Sequence, residues 1–464
     1  MLKDLTKTPL NIFRAYDIRG TYPDELNEAV VFNIAVAFGS EAQAQGEKKV
    51  VIARDGRLSS PVLSHALSEG LQASGCEVID IGAVPTPVLY FATAVKGTGT
   101  GVVLTGSHNP GDYNGLKMMI AGKTLAQNDI QDLKQRILER NVVTGAGNYR
   151  AIDVVEDYIG TICEKEAFSR PFKVVVDAGN GIAGKIAPTL FKALGCEVIP
   201  LFCEVDGSFP NHHPNPSDPN NLKDLIRAVK DNNADIGFAF DGDGDRLGVV
   251  TPKGENIFPD RQLMLYAQSV IKNKPGAVVV FDVKCSKNVT DFIASLGGKP
   301  VMYKTGHALI KQKIKACHAD LAGEMSGHIF FNDRWFGFDD GLYTAVRLLH
   351  ILSQSDKSVD EVFEDIPQSV STPEINIAVP EDKKFKLMKM LLESTKTQFP
   401  GENIITIDGV RVEFSDGWGL VRASNTTPCL VMRFEADSAD VLKRIQHKFT
   451  HWVQQTIALG CVDG

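Results

Sequence analysis

The densest chemical signal in the sequence is D-G-D-G-D-R, from Asp241 to Arg246, directly after the apolar run I-G-F-A-F that begins at Ile236. A glycine-rich turn can fold Asp241, Asp243 and Asp245 onto one point. Three like charges so close are costly unless a cation neutralises them. Oxygen-only donors point to a hard divalent ion, Mg²⁺ or Mn²⁺. A calcium loop is excluded by position, because Arg246 stands where its turn glycine belongs and Pro252 where its bidentate glutamate belongs. The bland alternative is a solvated acidic turn.

Three other loops could do chemistry beside such a site. T-G-S-H-N-P, from Thr105 to Pro110, follows the apolar G-V-V-L that begins at Gly101. A serine in a tight loop at the end of a parallel strand is a nucleophile candidate. No G-x-S-x-G surrounds Ser107, and His108 is its direct neighbour, poorly placed to act as its base; both argue against a serine hydrolase. Beside a metal triad, Ser107 reads instead as a phosphoryl carrier, with the metal screening the phosphoserine charge and polarising the P–O bond. G-E-M-S-G-H, from Gly323 to His328, puts Glu324, Ser326 and His328 on alternate positions. In an extended loop they would share a face, and a carboxylate beside a hydroxyl suits a pair of sugar hydroxyls. R-A-S-N-T-T-P, from Arg422 to Pro428, gathers a fork-shaped cation, hydroxyls and an amide, a composition that fits a dianionic phosphate. For these last two loops the bland alternatives are a polar turn and a turn capped locally by Ser and Asn.

Two further matches fail. G-N-G-I-A-G, from Gly179 to Gly184, has the spacing of a dinucleotide fingerprint, but Asp177 stands two residues before it and would repel a pyrophosphate. Gly122-Lys123-Thr124 lacks the first glycine of a phosphate loop, since Lys117 occupies that position.

The elements that must hold these loops repeat. V-V-I-A-R-D-G from Val50, K-V-V-V-D-A-G from Lys173 and A-V-V-V-F-D-V from Ala277 are β-branched runs that end on Asp55, Asp177 and Asp282. Each is followed by a polar or glycine loop, a helix, a closing glycine (Gly75, Gly195, Gly297) and another strand. Short apolar strands alternating with helices predict mostly parallel, doubly covered sheets in three homologous α/β domains. The remainder predicts a strand at Glu374, a helix from Lys384, a meander from Asn403 to Cys429 and a closing helix from about Ser438. The expected domains are 1–150, 151–254, 255–370 and 371–464, the last a smaller α+β unit.

Composition narrows the class. The 464 residues are 43% hydrophobic and 23% charged, with a net charge of -8, which fits a folded protein and disfavours a nucleic-acid or anionic-membrane footprint. The eight cysteines form no zinc spacing and read as reduced, mostly buried thiols. The N-terminal segment lacks the apolar core of a secretory signal, and no run approaches a membrane span. A cytoplasmic monomer or weak dimer is expected.

These four loops, in this order on three repeats plus one different C-terminal domain, resemble the α-D-phosphohexomutase superfamily over essentially the whole chain. F-R-A-Y-D-I-R-G, from Phe13 to Gly20, and G-E-M-S-G-H are similar to segments of its bacterial phosphomannomutase/phosphoglucomutase branch. The phosphoglucosamine branch usually carries Gln at the Met325 position, and Gly106 departs from the commoner T-A-S-H-N-P. The resemblance implies an active site in a central cleft, with Ser107 phosphorylated and holding one Mg²⁺ together with Asp241, Asp243 and Asp245. It implies that a hexose 1-phosphate rests its phosphate on Arg422, Ser424, Asn425 and Thr426, accepts a phosphoryl group at C6, and returns one from C1 through a hexose 1,6-bisphosphate. Glu324 and Ser326 would hold O3 and O4. Lys117, Arg246, His108 and Asn109 would surround the transferring group, with Arg19 and His328 as candidates for proton handling and Tyr16, Lys284 and His307 for substrate contact. The competing readings are a phosphoglucosamine mutase, a nicotinamide-dependent dehydrogenase using the Gly179 loop, a sugar-phosphate sensor and a metal phosphatase.

Overall fold

The computed structural model describes residues 9–14, 16–424 and 428–462. Three successive units share one topology. In the first, strands Lys49–Arg54, Glu77–Ala83 and Gly101–Leu104 are parallel, with Lys49–Arg54 between the other two. Strands Lys173–Asp177, Glu197–Leu201 and Ile236–Phe240 repeat that order, as do Val278–Asp282, Lys299–Tyr303 and Leu321–Gly323. The helices that follow the leading strands end alike. Gly75, Gly195 and Gly297 have φ of 93°, 84° and 80°. The next N–H reaches back five residues in each: Cys76 to Leu71 O, Cys196 to Phe191 O and Gly298 to Ile293 O, all at 3.0 Å. This is the left-handed helix stop that the sequence predicts.

The strands that lead each sheet are parallel, as the sequence predicts, and each sheet becomes antiparallel along one side. After its third strand each unit turns back in an antiparallel hairpin, to Tyr113–Ile120, Leu247–Val250 or Ile329–Phe331. A tight connection can only join antiparallel neighbours, and these three tight connections are the Ser107, Asp241–Asp245 and Glu324 loops. The three chemical loops are therefore equivalent positions of one repeated unit. The three terminal aspartates of the leading strands serve the neighbouring backbone instead. Asp55 accepts from Arg57 N and Gly106 N, Asp177 from Gly179 N, and Asp282 from Met325 N.

Strand alternation sets the layers. Val50, Ile52, Val102 and Leu104 face Ile34, Phe38, Leu63 and Leu67 on one side. Val51, Ala53 and Val103 face the other way and join a core that runs through Val174, Phe238, Val279 and Leu321, so the first three units share one apolar interior. The C-terminal unit has its own. Strands Asn403–Ile405, Val410–Phe414, Gly417–Ala423 and Cys429–Ala436 form the meander, with Ile375–Ala378 paired to the last. Its Val410, Val412 and Phe434 pack on Leu391, Phe449 and Trp452 from helices Glu381–Gln398 and Ala439–Val462. Residues on its opposite face, Trp418 and Leu420, meet Val283 of the third unit. Seven cysteines among the described residues are free, and the side chain of Cys461 lies outside them. No helix among the described residues is long and apolar enough to cross a membrane.

Candidate active site

All four units line one cleft of about 590 Å³. Tyr16, Arg19 and His108 come from the first, Arg246 from the second, Lys284, His307, Glu324, Ser326 and His328 from the third, and Arg422 and Ser424 from the fourth. Asn425 and Thr426 lie outside the described residues. Beneath the cleft lie Ser107, Lys117 and the three aspartates, at 2%, 4% and 0% exposure.

Asp241, Asp243 and Asp245 each offer an oxygen within 4.8 Å of the others. Burial, then the charges of Asp243 and Asp245, pushes the Asp241 carboxyl well above the carboxylate range. Lys117 Nζ bonds Asp243 Oδ2 at 2.6 Å and Asp245 Oδ2 at 2.5 Å. Burial opposes its charge, but those two carboxylates outweigh it and hold the amine well above its usual range. Asp243 Oδ1 and Asp245 Oδ1 are buried without a hydrogen-bond partner among the described residues. An oxygen-only donor set with orphaned carboxylate oxygens fits a hard divalent cation.

Ser107 Oγ donates to Asp241 Oδ2 at 3.1 Å, so the carrier candidate and the carboxylate cluster meet across the first two units. Ser107 has φ of 49°, in the left-handed region. That turn also brings His108 Nδ1 to 3.2 Å from Ser107 Oγ, although the two are direct neighbours. Burial, with Arg246, Arg19 and Lys117 nearby, pushes His108 well below its ordinary range and keeps the ring neutral.

The Glu324 loop is not extended. Glu324 N bonds His328 O at 2.9 Å and Gly327 N bonds Glu324 O, closing a tight turn with Gly327 at φ 100°. Glu324, Ser326 and His328 still reach the cleft, because the turn points into it. Glu324 Oε1 accepts from Gly306 N at 2.6 Å and Oε2 has no partner among the described residues. Burial raises its carboxyl to about 7. This turn is tied to the metal loop: Arg246 Nε donates to His328 Nε2 at 3.0 Å, and Leu247 N to Gly327 O.

Arg422 is 5% exposed and held by Asp408 Oδ2 at 3.0 Å through Nε, while its Nη2 has no partner among the described residues. Lys284 Nζ is bonded to Glu374 Oε1 at 2.7 Å. Tyr16 OH donates to Thr305 O, and Arg19 pairs with Asp17. His307 stacks on His328 with centroids 5.5 Å apart, and burial beside Lys311 lowers it to about 4. Asn109 is the exception. Its amide caps its own turn by donating to Gly106 O at 2.8 Å, and it does not line the cleft.

Sequence reasoning missed several residues. Asp339 is fully buried and meets Lys311 Nζ at 2.9 Å, His328 Nδ1 at 3.1 Å and His307 Nδ1 at 3.4 Å, making it the anchor of that wall. Asp408 orients Arg422, Thr86 Oγ1 donates to Asp243 at 2.5 Å, and Arg57 sits under the Ser107 loop. None of them belongs to the four loops in which the chemistry shows as a local pattern. The dinucleotide reading fails on geometry as well. Gly179 N is taken by Asp177 at 2.9 Å, and His212 Nε2 covers the same carboxylate at 3.0 Å.

The four units match, in order, the phosphoglucomutase/phosphomannomutase alpha/beta/alpha domains I, II and III at residues 10–142, 156–254 and 258–370, and the C-terminal domain at 374–451. The chain belongs to the phosphoglucomutase/phosphomannomutase family. It is 56% identical over 441 residues, 95% of each chain, to a phosphomannomutase/phosphoglucomutase of Pseudomonas aeruginosa. It is 51% identical to a phosphoglucomutase of Neisseria meningitidis over 95% of this chain and 96% of that one. The crystal structure of a family protein from Burkholderia thailandensis superposes with a TM-score of 0.92 at 50% identity, covering 97% of this chain and 98% of that one. The family interconverts hexose 1- and 6-phosphates, and this member is a mutase.

Proposed function

We propose that this mutase interconverts the 1- and 6-phosphates of glucose and mannose through a phosphoserine at Ser107 and a hexose 1,6-bisphosphate that stays bound. The observation that carries the reading is the 3.1 Å contact of Ser107 Oγ with Asp241, inside a buried three-carboxylate cluster under a cleft built by all four units. In this reading domain 1–150 supplies the carrier, 151–254 the metal loop, 255–370 the sugar loop and 371–464 the phosphate clamp.

Phosphoryl transfer asks for positioning and charge neutralisation. Arg422, Ser424, Asn425 and Thr426 hold the phosphate that is not reacting. Glu324 and Ser326 grip O3 and O4, which leaves C2 ungripped and admits both epimers. The free C6 hydroxyl then faces phosphoserine. The Ser107 O–P bond breaks, the O6–P bond forms, and the hydroxyl proton leaves to a base, for which His328 and Arg19 are the candidates. The bisphosphate turns over, the O1–P bond breaks, Ser107 regains its phosphoryl group, and O1 takes up a proton. No water is consumed and no phosphate is released. Lys117 and Arg246 neutralise the transferring group, and neutral His108 donates to it beside Ser107. Mg²⁺ on Asp241, Asp243, Asp245 and a phosphoserine oxygen would supply Lewis-acid screening of that group. Tyr16, Lys284 and His307 complete the substrate wall, and Asn109 holds the turn that presents Ser107. A cytoplasmic monomer or weak dimer, with neither nucleic acid nor membrane as partner, completes the proposal.

Coupled assays with glucose, mannose and glucosamine 1-phosphates side by side, with free phosphate followed in parallel, test it. The expected result is 6-phosphate from the first two and no net phosphate release. Turnover of the glucosamine substrate alone would assign the enzyme to the phosphoglucosamine branch, and free phosphate as the main product would make it a phosphatase.

A further inference from the structure

Arg57 has no place in the chemistry above, yet it is among the largest fully buried side chains, at 2% exposure. It lies just past strand Lys49–Arg54, and its guanidinium runs beneath the Ser107 loop. Nη2 donates to Ser107 O at 2.8 Å and Asn109 O at 2.6 Å. Nη1 donates to Tyr113 O at 2.9 Å and to Pro110 O, and Nε to Asp55 Oδ2 at 3.2 Å. A guanidinium has five N–H donors, and all five are engaged. Arg57 therefore has nothing left with which to bind a substrate phosphate. What it does is tie three carbonyls of one loop and the first carbonyl of the strand after it to a single rigid plane, while Asp55 Oδ2 takes Gly106 N of the same loop at 3.1 Å.

Two glycines make this arrangement possible. A Cβ at Gly106 would stand 2.4 Å from both Cζ and Nε of Arg57, so any side chain there displaces the guanidinium. On the other side, a Cβ at Gly242 of the metal loop would stand 2.2 Å from Ser107 O. The Ser107 carbonyl is thus wedged between Arg57 and the backbone of the aspartate loop. Ser107 itself has φ of 49°, a conformation that non-glycine residues hold only where the surroundings over-determine it.

We propose that Arg57 is a positioning residue for the phosphoryl carrier: its saturated guanidinium holds Ser107 in the left-handed conformation that aims Oγ at Asp241, and Gly106 is required to admit it. This rests on the reading of Ser107 as the carrier. The departure of Gly106 from the commoner alanine is then a packing requirement of this chain.

The test uses Arg57→Lys, Gly106→Ala and the double variant, with glucose 1,6-bisphosphate and Mg²⁺ as probes. Intact mass and peptide mapping follow the transfer in which an O–P bond of the bisphosphate breaks, the Ser107 O–P bond forms, and the Ser107 proton passes to the released sugar oxygen. Each single variant should slow this transfer and kcat by roughly 100-fold, the cost of an ångström-scale misplacement. KM for glucose 1-phosphate should stay within about twofold, because the Arg422 clamp is remote from the change. The double variant should be no slower than the slower single variant to within about twofold, since both break the same contact. Gly106→Ala removes no hydrogen-bonding group, so it carries the test if Arg57→Lys fails to fold. Phosphorylation of Ser107 at the wild-type rate in Gly106→Ala, losses that multiply in the double variant, or a raised KM with unchanged kcat would overturn the proposal. A wild-type protein that takes no phosphoryl group at Ser107 overturns the carrier reading instead, and is recognised before any variant is made.

Discussion

Replacing Arg422 by alanine should weaken the binding of substrate and bisphosphate alike, while leaving the charging of Ser107 at saturating bisphosphate intact. Arg422 enters the cleft from strand Gly417–Ala423 with one edge of its fork taken by Asp408 and Nη2 without a partner among the described residues. Burial opposes its charge, but Asp408 together with Tyr16 and Asp282 outweighs it, so the guanidinium stays ionised across the working range. A charge-assisted bond to phosphate is worth about 1.5–3 kcal/mol. At about 1.4 kcal/mol per decade, its loss raises KM about 10- to 100-fold. Arg422→Lys keeps the charge and loses the fork, so it should recover roughly half of that free energy. The protein should remain folded in both variants, because Thr305 N still donates to Asp408 Oδ2 at 3.1 Å and that carboxylate keeps a partner. Steady-state kinetics on glucose 1-phosphate, beside the rate of Ser107 phosphorylation at saturating glucose 1,6-bisphosphate, separates the two effects. If KM in Arg422→Ala stays within about twofold of wild type, the clamp lies elsewhere and the loop is an ordinary turn.

Ser107→Ala should take up no phosphoryl group on incubation with the bisphosphate and lose at least about 1,000-fold in kcat, while its unfolding midpoint in urea shifts only slightly; phosphate mapped to another residue would sink the mechanism. Chelation should abolish turnover and Mg²⁺ restore it, whereas undiminished activity in excess chelator would reject the metal assignment. Asp243→Asn should weaken the Mg²⁺ response and lower the stability of the metal-free protein by about 1–3 kcal/mol, since Asp243 Oδ2 accepts from both Lys117 and Thr86; a more stable variant in denaturant titrations would show that crowding of the carboxylates dominates. Glu324 is raised from 4.5 to about 7 by burial, so its contribution to stability is fully present below pH 4.5 and lost as pH rises through about 7. Glu324→Gln should therefore match wild type near pH 4 and exceed it by up to about 3 kcal/mol above pH 8, and an equal difference at both pH values would contradict the burial argument.

The fold was legible where its signals are contiguous. The helix stops at Gly75, Gly195 and Gly297 announce themselves because a left-handed residue needs glycine at a single position. The C-terminal meander shows in its alternation between turns. The mixed character of the sheets was not legible, because a short apolar strand reads the same whether its neighbour runs parallel or antiparallel. Only pairing reveals that the Ser107, Asp241–Asp245 and Glu324 loops are the hairpins of three equivalent units. The conformation of the Glu324 loop was not legible for a related reason: the positive φ of Gly327 closes it, and the sequence offers a glycine there without saying which conformation it takes.

The same division runs through the site. A metal triad, a serine in a tight turn and an arginine among hydroxyls are local patterns, since neighbours in sequence must be neighbours in space. The sequence alone therefore determined which side chains could carry the chemistry and which family they resemble. The tertiary structure decided what those side chains meet. Lys117 closes on Asp243 across 126 positions and Ser107 on Asp241 across 134. Arg57 reaches the Ser107 carbonyl across 50, and Asp339 gathers two histidines and a lysine that share no motif with it. Such contacts are set by how strands order within a sheet and how sheets stack, and a burial pattern with a period of two residues encodes neither choice.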